Sequence, residues 1–160
     1  MSHYNNPFES GSDRYQLWEM LVERDIEAFI AGDWSMVEDD FLAESFTAID
    51  AQRNPNPDNW KLSFVTLADY RDSWLEQSAE MRGKVQTEPL RAGIIDATNM
   101  EEIEVQGDSA LLHKKFQGQV VADDGEVMPM QWQTLYQCKR VNGQWKIAGF
   151  VGYLPYPVEG

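Results

Sequence analysis

The strongest constraint on the fold is a long run of alternating residues in the second half of the chain. From Leu90 onward the apolar residues recur with a period of two, which is typical of strands that bury one face. Turn signals divide this run at Gln106-Gly107-Asp108, Asp124-Gly125 and Asn142-Gly143, and Asn-Gly is a strong hairpin signal. Strands that follow one another through short turns pair antiparallel. The sequence therefore predicts an antiparallel sheet built from consecutive hairpins.

The last hairpin can be registered from its turn. A two-residue Asn142-Gly143 turn pairs Val141 with Gln144. The same register pairs Cys138 with Ile147, Tyr136 with Gly149, and Trp132 with Tyr153. These residues share a mostly apolar face with Met130, Thr134 and Val151, whereas the opposite face carries Gln131, Gln133, Leu135, Gln137, Lys139 and Phe150. We expect the apolar face to be the inner face of the sheet.

The preceding hairpin decides the side on which His113 lies. A Gly107-Asp108 turn pairs Ile103 with Leu112. The inner face is then formed by Ala110, Leu112, Lys114, Phe116, Gly118 and Val120, and Val105 pairs with Ala110. This register places His113 on the outer face. A two-residue Asp124-Gly125 turn would instead set His113 opposite Tyr136 on the inner face, but the apolar pattern favours the outer face.

Helical patterns precede the strands. Residues 1–11 are rich in Asn, Ser, Gly and Pro and predict a flexible tail, so a single domain spans residues 12–160. Helices are expected from Ser12 or Asp13 to Gly32, at 34–41 and at about 67–82, with a strand at 45–52. Helices followed by consecutive strands indicate an α+β domain, with three N-terminal helices over the concave face of a strongly curved antiparallel sheet.

Asp25 interrupts the apolar face of the first helix. At about 100° per residue it falls near the middle of the arc formed by Leu17, Trp18, Leu21, Val22, Ala28 and Phe29. One interpretation is a pocket acid, whose pKa desolvation would raise. The other is a structural ion pair, because a buried charge needs a partner, and Lys114 on the inner face is the expected one. The sequence leaves both open.

The charge of the chain argues against some functions. It has 27 acidic and 13 basic residues, and the resulting net charge of −14 repels phosphate backbones and anionic membrane surfaces. It shows no signal-peptide pattern, no apolar stretch of membrane-spanning length, and a single cysteine, Cys138. We expect a cytoplasmic protein that binds neither nucleic acid nor membranes. Without zinc, dinucleotide or phosphate-loop motifs, no metal and no cofactor are expected.

Two stretches of the chain, RDIEAFIAGDWSMVEDDFLAESFTAID and VNGQWKIAGFVGYLP, resemble the nuclear transport factor 2-like superfamily. They are similar to the family's first helix, short second helix and first strand, and to its closing hairpin, and the order of elements agrees over residues 13–154. The resemblance implies a cone-shaped α+β fold, shared with ketosteroid isomerases and polyketide cyclases, and a homodimer. Against ketosteroid isomerase, Asp25 stands at the oxyanion-hole tyrosine, Asp50 matches the general base if one residue is inserted, and Tyr136 or Leu135 lies near the protonated aspartate.

These placements define the candidate site. The catalytic candidates are Asp25, Asp50 and Tyr136, and the binding candidates are Lys114, Trp132, Trp18, Phe46, Tyr70, Trp74 and Phe116. Asp50 could instead bond to loop amides at the end of its strand, and Tyr136 could be a core tyrosine with a satisfied hydroxyl.

Three functions fit this site. The first is a cofactor-independent acid/base enzyme (isomerase, cyclase, dehydratase or epoxide hydrolase) acting on a hydrophobic or carbonyl-bearing small molecule. The second is a non-catalytic metabolite-binding module, and the third is an interaction protein with a filled cone. The outer sheet face is rich in glutamine with apolar islands, which predicts a homodimer contact there.

Overall fold

Helices dominate the first part of the chain and strands the second. The computed structural model describes residues 3–156. The helices are α1 (Asp13–Trp18), α2 (Asp25–Ala31), α3 (Leu67–Lys84) and α4 (Thr87–Ala97). The strands are β1 (Thr47–Asp50), β2 (Lys61–Phe64), β3 (Thr98–Gln106), β4 (Ser109–Val121), β5 (Val127–Val141) and β6 (Gln144–Leu154). A π-helical segment, Glu19–Arg24, joins α1 to α2, so these form one long helix.

The described strands form one mixed sheet in the order β2-β1-β6-β5-β4-β3. The run from β3 to β6 is the predicted series of antiparallel hairpins. The sheet is not antiparallel throughout, because β1 pairs with β6 in parallel, and β2 adds an edge strand that the sequence analysis did not predict. The fold is therefore α+β with helices packed on an open, mixed sheet.

The long N-terminal helix begins and ends where its sequence predicts. The Ser12 side chain accepts the Tyr15 N–H at 3.1 Å, and Gly32 ends α2 with a left-handed φ of 67°. Leu17 and Leu21 of this helix are buried in the same core cluster as Leu112 of the inner sheet face. Burying a leucine side chain contributes about 1.5–3 kcal/mol, so this cluster is a main support of the fold.

Two helical predictions need correction. The short helix expected at 34–41 consists of two 3-10 turns, Trp34–Met36 and Glu38–Asp40. The strand region expected from Leu90 instead begins with α4, whose Leu90, Ile94 and Ala97 are buried at spacings of four and three. That spacing is helical, and Pro89 is tolerated in a first turn, where its missing N–H has no partner to lose.

The registers of β3, β4 and β5 agree with the predicted inner face. Ile103 pairs with Leu112 and Val105 with Ala110. His113 lies opposite Leu135 on the outer face, because the loop after β4 is longer than a two-residue turn: β4 and β5 close on the Val121–Val127 pair. The alternative placement of His113 opposite Tyr136 is wrong.

The last hairpin starts in the predicted register and then leaves it. Cys138 pairs with Ile147 as expected, but a register shift follows, so Tyr136 pairs with Phe150 instead of Gly149. A second shift makes the predicted Trp132–Tyr153 pair wrong as well. A β-bulge adds one residue to a strand, and a one-residue slip exchanges its faces. Phe150 is therefore buried on the inner face, contrary to its predicted outer position.

Gly149 lies in close contact with the backbone of β1. A Cβ atom at this position would lie 2.5 Å from the Thr47 carbonyl oxygen of β1. Only glycine lets β1 approach β6 this closely in the parallel ladder, which pairs Thr47 with Gly149. Gly149, which the predicted register set opposite Tyr136, is therefore a close backbone contact with β1.

The described part of the N-terminal segment is packed on the domain. The Tyr4 hydroxyl donates to Glu27 at 2.6 Å, and the Tyr4 ring contacts Trp18 edge-to-face at 6.3 Å. Phe8 also packs against the core, so both aromatic residues of this segment contact the domain. No helix within residues 3–156 combines the length and the apolar character needed to cross a membrane.

Candidate ligand-binding site

A cavity of about 310 Å³ lies between the helices and the inner face of the sheet. Its volume is at the lower end of the range found for small-molecule sites. Most of its lining is apolar or aromatic. The lining residues are Asp25, Ile26, Phe29, Arg53, Tyr70, Trp74, Gln77, Glu80, Met81, Ile94, Lys114, Phe116, Met128, Pro129, Met130, Trp132, Thr134, Tyr136, Phe150 and Tyr153.

Asp25 and Lys114 form an ion pair at the wall of this cavity. Lys114 Nζ donates to Asp25 Oδ2 at 2.8 Å and to the Leu21 carbonyl oxygen at 2.5 Å. The Lys114 side chain is 2% exposed, whereas the Asp25 side chain retains 25%. Asp25 is thus both a structural partner of Lys114 and a cavity residue, so the two interpretations left open by the sequence are compatible.

The π-helical segment contributes to this arrangement. Leu21 lies within it, and Asp25 is the first residue of α2 directly after it. π-Helical turns are rare, and they occur frequently at functional sites. The segment brings a carbonyl oxygen and a carboxylate to the same ammonium on β4.

Two tyrosine hydroxyls face the cavity beside this pair. Burial raises the pKa of both Tyr70 and Tyr136 well above the ordinary value, and the charge of Asp25 acts in the same direction. Both phenols therefore stay protonated and can donate a hydrogen bond. No described residue hydrogen-bonds to either hydroxyl. Every fully buried side-chain N or O atom in the described range has a hydrogen-bond partner, so these two hydroxyls are not fully buried. They are therefore open to the cavity that their residues line.

The cluster of Asp25, Tyr70 and Tyr136 marks the deep end of the cavity. The same three residues also line a second space of about 10 Å³ beneath it, together with core residues such as Ile147. Exposed residues mark the other end, since Arg53, Glu80 and Pro129 are open to solvent. The cavity thus runs from an accessible mouth to a polar, desolvated inner end.

Aromatic and polar side chains form the mouth. The Arg53 guanidinium lies over the Trp132 ring, 5.2 Å from its centroid. Trp132 packs against Phe116 at 4.8 Å and Tyr153 at 6.0 Å between centroids. The Tyr153 hydroxyl and the Gln77 side-chain amide are within hydrogen-bonding distance of each other, which fixes the rim on the α3 side.

The overall arrangement is shared with several solved structures. No protein-family model matches the sequence, and no curated protein matches it. A nuclear transport factor 2-like protein of unknown function from Pseudomonas putida aligns with a TM-score of 0.57 at 19% identity, over 88% of this chain and 86% of that chain. One from Shewanella baltica aligns with 0.57 at 12%, over 91% and 95%. A protein of unknown function with a cystatin-like fold from Nostoc punctiforme aligns with 0.57 at 12%, over 93% and 96%.

This chain has the nuclear transport factor 2-like fold. The likeness is one of architecture, because identities of 12–19% over nearly whole chains carry no information about chemistry. The function of this chain has to be argued from its own cavity.

Within the nuclear transport factor 2-like fold, most of the sequence-predicted site residues converge. The cavity is lined by Asp25, Tyr136, Lys114, Trp132, Tyr70, Trp74 and Phe116. Trp18, Phe46 and Asp50 lie outside it. Trp18 packs against Tyr4, and Phe46 lies behind the cavity in the aromatic cluster of Tyr70 and Phe150.

Asp50 bonds to a loop amide at the end of its strand, which is the second of the two roles predicted for it. Its Oδ1 accepts the Gln52 N–H at 2.7 Å, which closes the turn at the end of β1. Its cross-strand partner is Lys61, and a register shift separates this pair from Ala48–Phe64. The period-two pattern of β1 therefore does not carry through to Asp50, and the carboxylate serves the loop instead of the cavity.

Several lining residues were not predicted. Phe150 was assigned to the outer face because the bulge in the last hairpin was not anticipated. Arg53 and Gln77 come from a loop and a helix face that the period of the strands does not locate. The Asn- and Pro-rich loop after β1 was the available signal for Arg53, since irregular segments that lie at a sheet edge often form the mouth of a site.

Within residues 3–156 no three His, Cys, Asp or Glu side chains cluster as a metal site would need.

Proposed function

We propose that this protein binds a small, mostly apolar molecule with a carbonyl or hydroxyl oxygen in its cavity, and that it moves a proton within that molecule without a cofactor. The observation that carries the proposal is the deep end of the cavity. There the Asp25 carboxylate, held by Lys114, and two tyrosine hydroxyls without a protein partner in the described range line a mostly apolar space. Such a combination of shape and a few convergent polar groups is typical of small-molecule sites.

Tyr70 and Tyr136 would receive the oxygen of the ligand. Their hydroxyls are neutral donors, because burial raises the pKa of both phenols. Hydrogen bonds from such donors to a carbonyl oxygen strengthen as negative charge develops on it, more so in a desolvated site than in water. This supports a reaction whose transition state resembles an enolate.

Asp25 would accept the proton. Its Oδ2 is held by Lys114, whereas no described group hydrogen-bonds to Oδ1. In the proposed step the C–H bond next to the carbonyl breaks, the proton goes to Asp25, and the electron pair forms the enolate. Where a C=C bond is conjugated with the enolate, return of the proton from Asp25 to the far carbon of that bond would complete an isomerisation. Lys114 keeps Asp25 in place and offsets its charge before the proton is taken up and after it is returned.

A second candidate is binding without catalysis. The Asp25–Lys114 pair favours it, because a carboxylate engaged by a buried ammonium already has a structural role. The third function considered, a filled cone, is disfavoured by the 310 Å³ cavity.

Deuterium exchange separates the two candidates. Phenylacetone carries a carbonyl next to an acidic methylene on an apolar ring, and uptake of deuterium into that methylene can be followed by NMR in D₂O. The proposal expects faster exchange with the protein than in buffer, loss of this effect in Asp25→Asn, and retention in Asp50→Asn, whose carboxylate lies outside the cavity. Binding seen by tryptophan fluorescence without exchange would support the non-catalytic candidate for this ligand class, and absence of both would contradict the proposal.

A further inference from the structure

Three non-glycine residues with left-handed backbone meet at the mouth of the cavity. Their φ angles are 52° for Gln52, 56° for Arg53 and 56° for Tyr153. The Arg53 N–H donates to the Tyr153 carbonyl oxygen at 2.7 Å, which joins the two strained segments. A fourth such residue in the described range, Asn142, belongs to a hairpin turn that requires a positive φ. Strain that the surroundings hold in place is frequent at ligand clamps.

The strained loop presents a guanidinium at a fixed position. Arg53 stacks on Trp132, and Trp132 is itself packed against Phe116 and Tyr153. Stacking restrains one face of the guanidinium and leaves its N–H edge available. No described carboxylate forms an ion pair with Arg53, although the chain has 27 acidic and only 13 basic residues. Asp50, nearby in the chain, accepts the Gln52 N–H instead.

Arg53 also differs from the other charged lining residues in having no ion-pair partner among the described residues. The ionisable lining residues other than tyrosine are Asp25, Arg53, Glu80 and Lys114. Asp25 and Lys114 form an ion pair at 2.8 Å, and Glu80 lies 3.5 Å from Lys84, which also lies 3.9 Å from Glu126 on the surface. Arg53 is thus the one lining cation without a carboxylate partner among the described residues, which favours an anionic group on the ligand.

We infer that the ligand is an amphipathic carboxylic acid, whose carboxylate binds Arg53 and whose apolar body runs inward to a carbonyl or hydroxyl oxygen at the deep end. This inference rests on the proposed function of the cavity. The carboxylate accepts two N–H groups from the guanidinium edge, in the paired geometry that arginine supplies. Trp132 and Tyr136 are four residues apart on β5, so the two polar ends are separated by about 14 Å. Phe116, Met130 and Thr134 line the path between them.

A matched pair of probes tests the inference: ω-hydroxydecanoate and its methyl ester, which differ in charge at one end only. Their affinities are measured by isothermal titration calorimetry with the full chain, with Arg53→Gln, and with Arg71→Gln. Glutamine, like arginine, is unbranched at Cβ, so the substitution should not change the steric strain of the left-handed backbone at position 53. Arg71 is an exposed arginine on α3, paired with Asp72, and its substitution removes the same charge away from the cavity.

The acid should bind the parent chain about ten- to hundredfold more tightly than the ester, as expected for charge-assisted hydrogen bonds. Arg53→Gln should abolish that preference and leave the ester affinity unchanged, whereas Arg71→Gln should preserve the preference. If the ester binds as well as the acid, or if the preference survives in Arg53→Gln, the assignment of Arg53 is overturned and the cavity proposal stands. If neither probe binds the parent chain, this inference is overturned, and the phenylacetone exchange experiment decides separately whether the proposed function stands.

Discussion

Lys114 Nζ on β4 donates to Asp25 Oδ2 at the start of α2, 2.8 Å away, and so ties the helix to the inner face of the sheet. The same ammonium donates to the Leu21 carbonyl oxygen, so a lysine that is 2% exposed has two oxygen partners. A buried ammonium is tolerated only with such partners. Because Asp25 also lines the cavity, the bond that stabilises the fold holds the proposed proton acceptor in position.

Asp25→Asn should destabilise the protein by about 3 kcal/mol. The substitution leaves the buried ammonium without its counter-charge, and breaking a buried pair costs about 3–5 kcal/mol. The lower end applies because the asparagine oxygen and Leu21 still accept hydrogen bonds. Denaturant unfolding at neutral pH measures the change. The double variant Asp25→Asn with Lys114→Met is the control and should recover most of the loss, and an unchanged stability of the single variant would show that the pair is dispensable.

Tyr136→Phe and Tyr70→Phe should leave stability nearly unchanged and weaken ligand binding. Neither hydroxyl has a hydrogen-bond partner in the described part of the chain, so its removal should change the free energy of unfolding by no more than about 0.5 kcal/mol. Loss of one hydrogen bond to the ligand lowers affinity up to about tenfold. Phenylacetone titrations monitored by tryptophan fluorescence give the affinities, and Tyr15→Phe, outside the cavity, is the control. A large loss of stability would instead mark these tyrosines as structural.

The stability of the protein should fall at alkaline pH, in part because of Cys138. Burial raises the pKa of this thiol from 9.0 to about 12, and Asp40 adds to the shift. The unfolded chain therefore loses the thiol proton first, and the stabilising contribution is complete below about pH 9 and is lost as the pH rises to about 12. Over that range the contribution declines by about 1.4 kcal/mol per pH unit. Cys138→Ala lacks this ionisation, so its stability should fall less steeply, and identical slopes for variant and parent in denaturant unfolding would exclude the effect.

We propose that two copies of the chain associate through the outer sheet face. The face pairs Leu111 with Gln137 and His113 with Leu135, and Leu111 is 47% exposed. A face with apolar side chains among polar ones suits a symmetric contact. Sedimentation velocity at micromolar concentration should show a dimer that Leu111→Glu dissociates, whereas Leu62→Glu, at an exposed leucine of β2, should not. A monomeric parent chain would contradict this proposal.

Local patterns in the sequence determined the parts of the fold whose partners lie close along the chain. The turns at Gly107-Asp108 and Asn142-Gly143 set the registers that include Ile103–Leu112 and Cys138–Ile147, because a short turn leaves the strands little choice. The helical period likewise placed Asp25 on a buried face, and the strand period placed Lys114 on the inner face of the sheet. The cost of burying a charge made their pairing one of two open interpretations, and the structure shows the pair.

Only the tertiary structure decided the cavity mouth and the faces beyond the bulge. β1 lies about a hundred residues before β6 in the chain, and its close parallel approach requires glycine at position 149. A register shift in the neighbouring β5–β6 hairpin turns Phe150 inward. Arg53 meets Trp132 through the same long-range contact. Such contacts depend on how separate elements pack, and the periodicity of any one segment records only which of its own residues are buried, not what they are buried against.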